Sequence, residues 1–171
     1  ALRAVNQRPV VGKLDIDVEG EATAAAELAS LEPISALQRA GFVPSDFSGR
    51  VKGHVTSDIP LERGYPRDKI GWRVGLQLDG VALNKPLDGQ KLSDAKGTID
   101  IDPEKALIKA DAKLNDVPAK LDFTEPVRKD GVQRKRLIEL DVNDKGLQKL
   151  APGLSSLVDG PMLLKVDASD A

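Results

Sequence analysis

The stretch Ile70 to Asp79 reads Ile-Gly-Trp-Arg-Val-Gly-Leu-Gln-Leu-Asp and has an apolar side chain at every second position. Successive side chains of a β-strand point to opposite faces, so this alternation predicts a strand with one apolar and one polar face. The same period of two returns along most of the chain. Together these runs predict a sheet with a broad apolar surface.

The other alternating segments are short and are separated by polar turns. They are Lys13 to Glu19, Arg50 to Ile59, Gly97 to Asp102, Leu107 to Leu114, Val117 to Thr124, Arg136 to Val142 and Met162 to Ala168. The turns include Asn115-Asp116 and Asp130-Gly131, which are typical of connections between antiparallel strands, and Asp79-Gly80 predicts a turn or a β-bulge. This spacing predicts a meander, in which consecutive strands are neighbours.

Between Glu21 and Ala40 the alternation gives way to helix-forming residues, and Gly41 follows as a C-terminal stop. Pro33 predicts a kink or a split into two short helices. We therefore expect a mainly β fold with one or two short helices, in which an antiparallel meander forms a curved, U-shaped or groove-like sheet. A closed β-sandwich or barrel is the alternative, since both need alternate residues to be apolar.

The length of 171 residues suits a single β-rich module, which we interpret as excised from a longer protein. Gly12 to Glu19 and Gly97 to Glu104 share Gly, Asp, Ile, Asp and Glu at matching offsets. This echo suggests two sub-repeats, about 1–90 and 91–171.

The composition argues against several classes of partner. Lys and Arg (25) nearly balance Asp and Glu (27), giving a net charge of -2, so no basic field attracts nucleic acid. Aromatic residues make up 3% of the chain, too few for the stacking platforms of single-stranded nucleic-acid sites. An aliphatic surface is better suited to alkyl chains.

Two polar features resemble sites of metal binding or catalysis, and for both we favour a solvated strand surface. Asp15, Asp17 and Glu19 resemble the start of a calcium-binding loop, but the twelfth position, which requires an acid, is Ala26. His54 is the only histidine and lies between Lys52 and Thr56 on a polar face. With no cysteine, nucleophile motif or phosphate-binding loop in the sequence, we expect no enzyme activity and no cofactor.

A local basic cluster surrounds the Asp130-Gly131 turn. Its members are Arg128, Lys129, Arg134, Lys135 and Arg136. They are candidates for contact with anionic headgroups or a membrane surface, and a solvated hairpin tip is the alternative.

The apolar strand positions are our candidates for the lining of a trough. They are Val51, Val55, Ile59, Trp72, Val74, Leu76, Leu78, Ile99, Ile101, Ile108, Ala112, Leu114, Leu121, Phe123, Leu164 and Val166. The small residues Gly53 and Ala110 are expected to leave room between them. Trp72 shares its face with other apolar residues, which favours a core or groove position over a stacking site.

Several segments resemble the AsmA-like superfamily of Gram-negative envelope proteins, especially its large YhdP-like members. The segments are Phe47 to Val55 with Ile59 to Leu61, Leu92 to Ile101, Ala112 to Phe123, Gly146-Leu147, Leu150 to Pro152 and Val158 to Pro161. The resemblance implies a periplasmic protein tethered to the inner membrane, in which neighbouring β-repeats build a groove that conducts phospholipid towards the outer membrane. The family has no catalytic motif that could be mapped onto this sequence.

Two hypotheses about function therefore stand side by side. In the first, the module binds or conducts phospholipid acyl chains along an apolar β-groove. In the second, the same apolar faces close into a core, and the module is a structural or protein-interaction scaffold of the envelope.

Overall fold

A computed structural model describes residues 11–30, 37, 41–61, 64–66, 69–86, 89–128, 132–142, 146 and 162–169 of the chain. Most of these residues lie in strands, so the mainly β prediction is confirmed. In chain order the elements are β1 (Val11–Glu21), α1 (Ala22–Ser30), a 3₁₀ turn (Pro44–Asp46), β2 (Phe47–Pro60), β3 (Gly71–Leu83), β4 (Leu92–Ile101), β5 (Lys105–Leu114), β6 (Val117–Pro126), β7 (Lys135–Val142) and β8 (Met162–Ser169).

Each strand pairs antiparallel with the next one along the chain, which gives a single eight-stranded sheet in the order β1 to β8. Within the described residues β1 and β8 each pair on one side only, so the sheet is not closed. The predicted meander is confirmed, and its open form is consistent with a groove-like sheet. The closed sandwich or barrel, considered as the alternative, is not what these strands form.

The connections between strands lie alternately at two ends of the sheet, because neighbouring strands run in opposite directions. One end carries α1 and the connections at 84–91 and 115–116, and we call it the helix end. The other end carries the connections at 61–70, 102–104 and 127–134, and we call it the open end.

Three irregularities in strand register lie near the helix end, at 48–50, 78–81 and 93–96. Gly49 and Gly80 adopt φ values of 102° and 64°, which a residue with a side chain rarely accepts. A β-bulge, in which one strand has an extra residue relative to its partner, bends the strand and increases its local twist. At Asp79-Gly80, where the sequence predicts a turn or a bulge, the structure has a bulge, and β3 continues beyond it.

The tightest connection joins β5 to β6 through Asn115 and Asp116. Their φ values of 49° and 67° are those of a type I′ turn, whose twist matches that of the flanking strands. Asn115 also holds the segment before β4: its N–H donates to the Lys91 carbonyl at 2.9 Å, and its side-chain Oδ1 accepts from the Lys91 N–H at 2.9 Å. The predicted turn is confirmed here, whereas the one at 130–131 lies outside the described residues.

The predicted helix from Glu21 to Ala40 is confirmed only in its first half. Glu21 belongs to β1, and α1 covers the residues from Ala22 to Ser30. Residues 31–36 and 38–40, with the proposed break at Pro33, lie outside the described residues. Gly41 has a φ of 75°, and Phe42 donates its N–H to the Leu37 carbonyl at 3.1 Å, a geometry typical of a helix C-terminus.

Helix α1 packs against the helix end of the sheet over β1 and β2. Ala22 and Ala26 are buried in this contact, and their small side chains let the helix lie close to the strands. The Thr23 hydroxyl donates a hydrogen bond of 2.7 Å to the Phe47 carbonyl at the start of β2. The helix therefore covers one corner of the sheet.

Candidate functional site

Apolar side chains from all eight strands share one face of the sheet, although Leu107, Leu137 and Leu163 lie on the other. Val55 lies opposite Val74, which lies opposite Ile101. A second row runs from Leu76 through Ile99 and Ile108 to Phe123. Strand registers place all of the trough candidates on this face, which we call the apolar face.

The apolar face also includes residues that the sequence-based selection omitted. Among them are Leu14, Ile16 and Val18 on β1, Ala119 on β6, Ile138, Leu140 and Val142 on β7, and Met162 on β8. The sequence could have predicted their place on this face, because each lies two positions along its strand from another apolar residue, and such residues point to the same side. Leu164 and Val166 already placed the apolar face on β8, and the residues of β1 extend it to the other edge of the sheet.

Burial of the apolar face changes from one end to the other. At the helix end Val51, Leu114 and Val142 are 4%, 4% and 1% exposed. Towards the open end Ile59 is 38% exposed, and on the edge strands Ile16 and Val166 are 43% and 39% exposed. A core therefore exists at the helix end and extends along central strands to Val74 and Phe123, which are 8% and 5% exposed, while apolar surface stays in contact with solvent at Ile59 and on the edge strands.

The room expected beside Gly53 is already filled by its neighbours. A Cβ atom built on Gly53 would lie 2.7 Å from Val18 Cγ2 and 2.9 Å from Leu76 Cδ2. Ala110 is likewise buried, at 9% exposed. These small residues let larger side chains pack over the strand and do not leave a gap.

Trp72 lies at the open end, where its row continues to Ser57 on β2 and Leu14 on β1. The Trp72 side chain is partly buried, and these three residues help to line a shallow depression of ≈ 360 Å³. The other lining residues, such as Lys13, Thr56 and Arg73, lie at strand positions of the opposite face. The depression is therefore not a pocket of the apolar face alone.

The opposite face of the sheet carries rows of alternating charge. One row passes from Lys96 through Asp111, Lys120 and Glu139 to Lys165, each opposite the next. Lys165 Nζ lies 3.0 Å from Glu139 Oε1 within this row. Opposite charges on neighbouring strands stabilise the sheet modestly and keep this face in water.

His54 lies on this charged face, as the sequence predicts. Its Nδ1–H donates to Asp17 Oδ1 at 2.8 Å, and its Nε2 lies 3.5 Å from Asp15 Oδ1. The hydrogen bond to Asp17 raises the pKa of His54 above its ordinary value of 6.5, and the charge of Asp15 acts in the same direction. This constellation joins β1 to β2 on the solvent side.

The third acid of the triplet, Glu19, faces Arg50 and Lys52 at 3.7 and 3.5 Å. The three acids of β1 therefore face basic side chains of β2, in the manner of a solvated strand surface. Among the described residues, no group of three His, Cys, Asp or Glu side chains is arranged to hold a metal ion.

The described members of the basic cluster are divided between the two faces of the sheet and the end of β6. Lys135 is exposed on the charged face, whereas Arg136, one residue later, lies on the apolar face opposite Phe123. Arg134 and Arg136 both contact the carboxylate of Glu125. Arg128 is exposed beyond the end of β6, and Lys129 lies outside the described residues.

Glu125 is a site residue that sequence reasoning missed. Glu125 lies on the apolar face of β6, opposite Ala106. The sequence could have predicted this position, because Glu125 follows Leu121 and Phe123 at intervals of two residues along the strand. Its arginine partners come from the far side of the β6–β7 connection, a pairing that parity alone does not reveal.

No family model, curated protein or solved structure matches this chain. Within the part of the chain that the structure describes, no helix is long and apolar enough to cross a membrane.

Proposed function

We propose that this chain is a non-enzymatic module that binds acyl lipids along the apolar face of its open sheet. The observation that carries the proposal is the continuity of that face. It crosses eight strands, and it remains partly exposed at the open end and on both edge strands.

The energetics favour an acyl chain as the occupant of such a face. Moving an alkyl chain out of water stabilises it by about 0.8 kcal/mol per CH₂, or on the order of 10 kcal/mol for a tail of some sixteen carbons. The exposed side chains of the apolar face are mostly aliphatic, with Leu14, Ile16 and Val166 among them. Aliphatic surface of this kind complements an alkyl chain without needing a polar pocket.

The wider setting of the proposal rests on the resemblance to AsmA-like envelope proteins. In that setting the chain is one periplasmic module of a longer protein tethered to the inner membrane. Neighbouring β-repeats would continue its sheet, and the lipid would be a phospholipid moving between the two membranes.

Native mass spectrometry tests whether the apolar face holds lipid. The purified chain is stripped with detergent, incubated with phospholipid vesicles and examined for bound lipid. Leu76→Glu places a carboxylate in the middle of the apolar face, and Gln77→Glu places the same group next to it on the charged face. Stoichiometric lipid in the wild type and in Gln77→Glu, but not in a folded Leu76→Glu, is the expected result.

A structural scaffold is the second candidate, and the two edges of the sheet, each unpaired among the described strands, favour it. An edge strand offers unpaired backbone groups to another strand, and β1 is 11 residues long. If neither the wild type nor either variant retains lipid, the lipid-binding proposal fails and the scaffold is preferred.

A further inference from the structure

The two edge strands of the sheet expose apolar side chains that a further strand would cover. Leu14 and Ile16 on β1 are 36% and 43% exposed, and Leu164 and Val166 on β8 are 39% exposed each. Among the described strands, β1 and β8 each pair on one side only. Each edge therefore offers backbone N–H and C=O groups, together with an apolar row, to a further strand.

The two edges are compatible in direction and in the face that they present. Consecutive strands of the meander run in opposite directions, and eight is an even number, so β8 runs antiparallel to β1. In both strands the even-numbered residues lie on the apolar face. A second copy of the chain beside the first therefore continues the meander with its apolar face on the same side, provided that even-numbered residues lie opposite even-numbered residues.

One register between β8 and β1 of a second copy brings the exposed apolar side chains together. It places Val166 opposite Leu14 of the second copy and Leu164 opposite Ile16. All eight residues of β8 then lie opposite residues of β1, which is 11 residues long. The four apolar side chains cover one another, and the apolar face continues from one copy to the next.

The charged face agrees with the same register. Lys165 lies opposite Asp15 of the second copy, which extends the row of alternating charge that ends at Lys165 in a single chain. Asp167 lies opposite Lys13 of the second copy, in addition to the interaction that Asp167 makes within its own chain. Leu163 lies opposite an acid and adds no ion pair. Opposite charges at facing positions of neighbouring strands stabilise their pairing.

The neighbouring registers are less favourable. A shift of two residues in one direction places Lys165 opposite Lys13, and a shift of two in the other direction places Asp167 opposite Asp15. Like charges directly opposite one another destabilise a strand pair. A shift of one residue turns the apolar side chains of one copy to the charged face of the other. The charge pattern therefore selects one register.

We propose that this chain assembles head to tail with further copies of itself, by pairing β8 of one copy with β1 of the next in this register. The interface is heterologous, because two different edges of the chain meet. This inference concerns the edges of the sheet, and it goes beyond lipid binding without resting on it. Charge complementarity between the two edges makes a second copy the occupant.

Sedimentation velocity on the delipidated chain, from about 10 μM to about 500 μM, tests for self-association in a range where weak strand pairing is measurable. Two variants each place like charges opposite one another in the proposed register. They are Lys165→Glu on β8 and Asp15→Lys on β1. Lys69→Glu makes the same change of charge at an exposed residue of the 61–70 connection, away from both edges, and is the matched control.

We expect the wild type and Lys69→Glu to form larger species as the concentration rises. Each edge variant alone should associate about tenfold more weakly, because an attractive pair becomes a repulsive one. An equimolar mixture of the two edge variants should recover the association of the wild type. In the mixture, β8 with the first substitution meets β1 with the second, and the two unaltered edges meet each other.

Hydrogen exchange on the wild type gives a second measurement that needs no substitution. As the concentration rises, alternate backbone amides of β1 and β8 should exchange more slowly, since alternate groups of an edge strand point away from the sheet. Amides of the central strands β4 and β5 should be unchanged. This measurement decides the question if an edge variant does not fold.

Three results would overturn the proposal. They are a wild type that stays monomeric over the whole range, a mixture of folded edge variants that associates no better than each variant alone, and slower exchange with concentration at one edge without the other. The last result would indicate pairing between like edges. Lipid retention in native mass spectrometry would stand after any of them, because it tests the apolar face of a single chain.

Discussion

At the scale of single residues, the packing of the apolar face depends on where side chains are small. Gly53 is buried in β2, with Val18 on one side and Leu76 on the other. Both neighbours lean over the position that a Cβ atom would occupy. The missing side chain is therefore part of the packing.

Gly53→Ala tests this packing. The added methyl group would overlap Val18 Cγ2, at 2.7 Å, and the β-branched valine has few other rotamers. We expect a loss of stability of about 1–3 kcal/mol, measured by urea denaturation, as for other overpacked cores.

Gly75→Ala is the matched control on the opposite face. Its Cβ would meet Asp100 Oδ1 at 3.5 Å, an ordinary contact. This variant should be as stable as the wild type or more stable by up to about 1 kcal/mol, since alanine restricts the unfolded chain. Equal destabilisation by the two substitutions would contradict the packing described for Gly53.

At the scale of elements, the attachment of the edge strand β1 depends on β2 and on α1. On the charged face, the β1 acids Asp15 and Asp17 face His54 of β2. Because β1 pairs with one neighbour among the described strands, its side-chain contacts matter more than those of a central strand.

This contact predicts a dependence of β1 on pH. The pKa of His54 is raised in the folded protein, so its charged form is favoured by folding. The stabilisation is complete below the ordinary pKa of 6.5 and is lost as pH rises through the higher folded-state value. Backbone amides of β1 should therefore exchange more slowly with solvent on the acidic side of this transition, after correction for the intrinsic rate.

An NMR titration of His54 checks the cause directly. The wild type should titrate above 6.5, and Asp17→Asn should lower the value more than Asp15→Asn does, since Asp17 makes the hydrogen bond. A folded-state value at or below 6.5, or one unaffected by Asp17→Asn, would contradict the role assigned to the pair.

Elements with local signals could be predicted from the sequence, and those with distant causes could not. The β5–β6 hairpin follows from its alternating residues and from Asn115-Asp116, which tolerate positive φ. The bulge at 48–50 depends on the approach of Gly49 to Gly80 from another strand. The pairing of Glu125 with Arg136 depends on the register between β6 and β7, which are joined by the connection at 127–134. The alternation of apolar and polar residues does not determine that register.

At the scale of the whole molecule, the described strands form one layer with two unlike surfaces. One surface carries charge rows such as Lys120 to Glu139 to Lys165, and the other is apolar. A sheet with one apolar face requires a second layer to cover it. Helix α1 provides that cover at one corner, and we propose that acyl chains cover the exposed part at the open end.

The most direct test of this account uses Trp72, the only tryptophan in the chain. Its side chain lies at the open end of the apolar face, on the row shared with Leu14. The delipidated chain is titrated with a phospholipid carrying brominated acyl chains, which quench tryptophan fluorescence at short range, and with the same lipid without bromine.

The account predicts saturable quenching by the brominated lipid, and a shift of the emission to shorter wavelength with both lipids, in the wild type and in Gln77→Glu. A folded Leu76→Glu should show neither effect. Unchanged Trp72 emission in a folded wild-type chain that has lipid bound would contradict the claim that acyl chains lie along the apolar face.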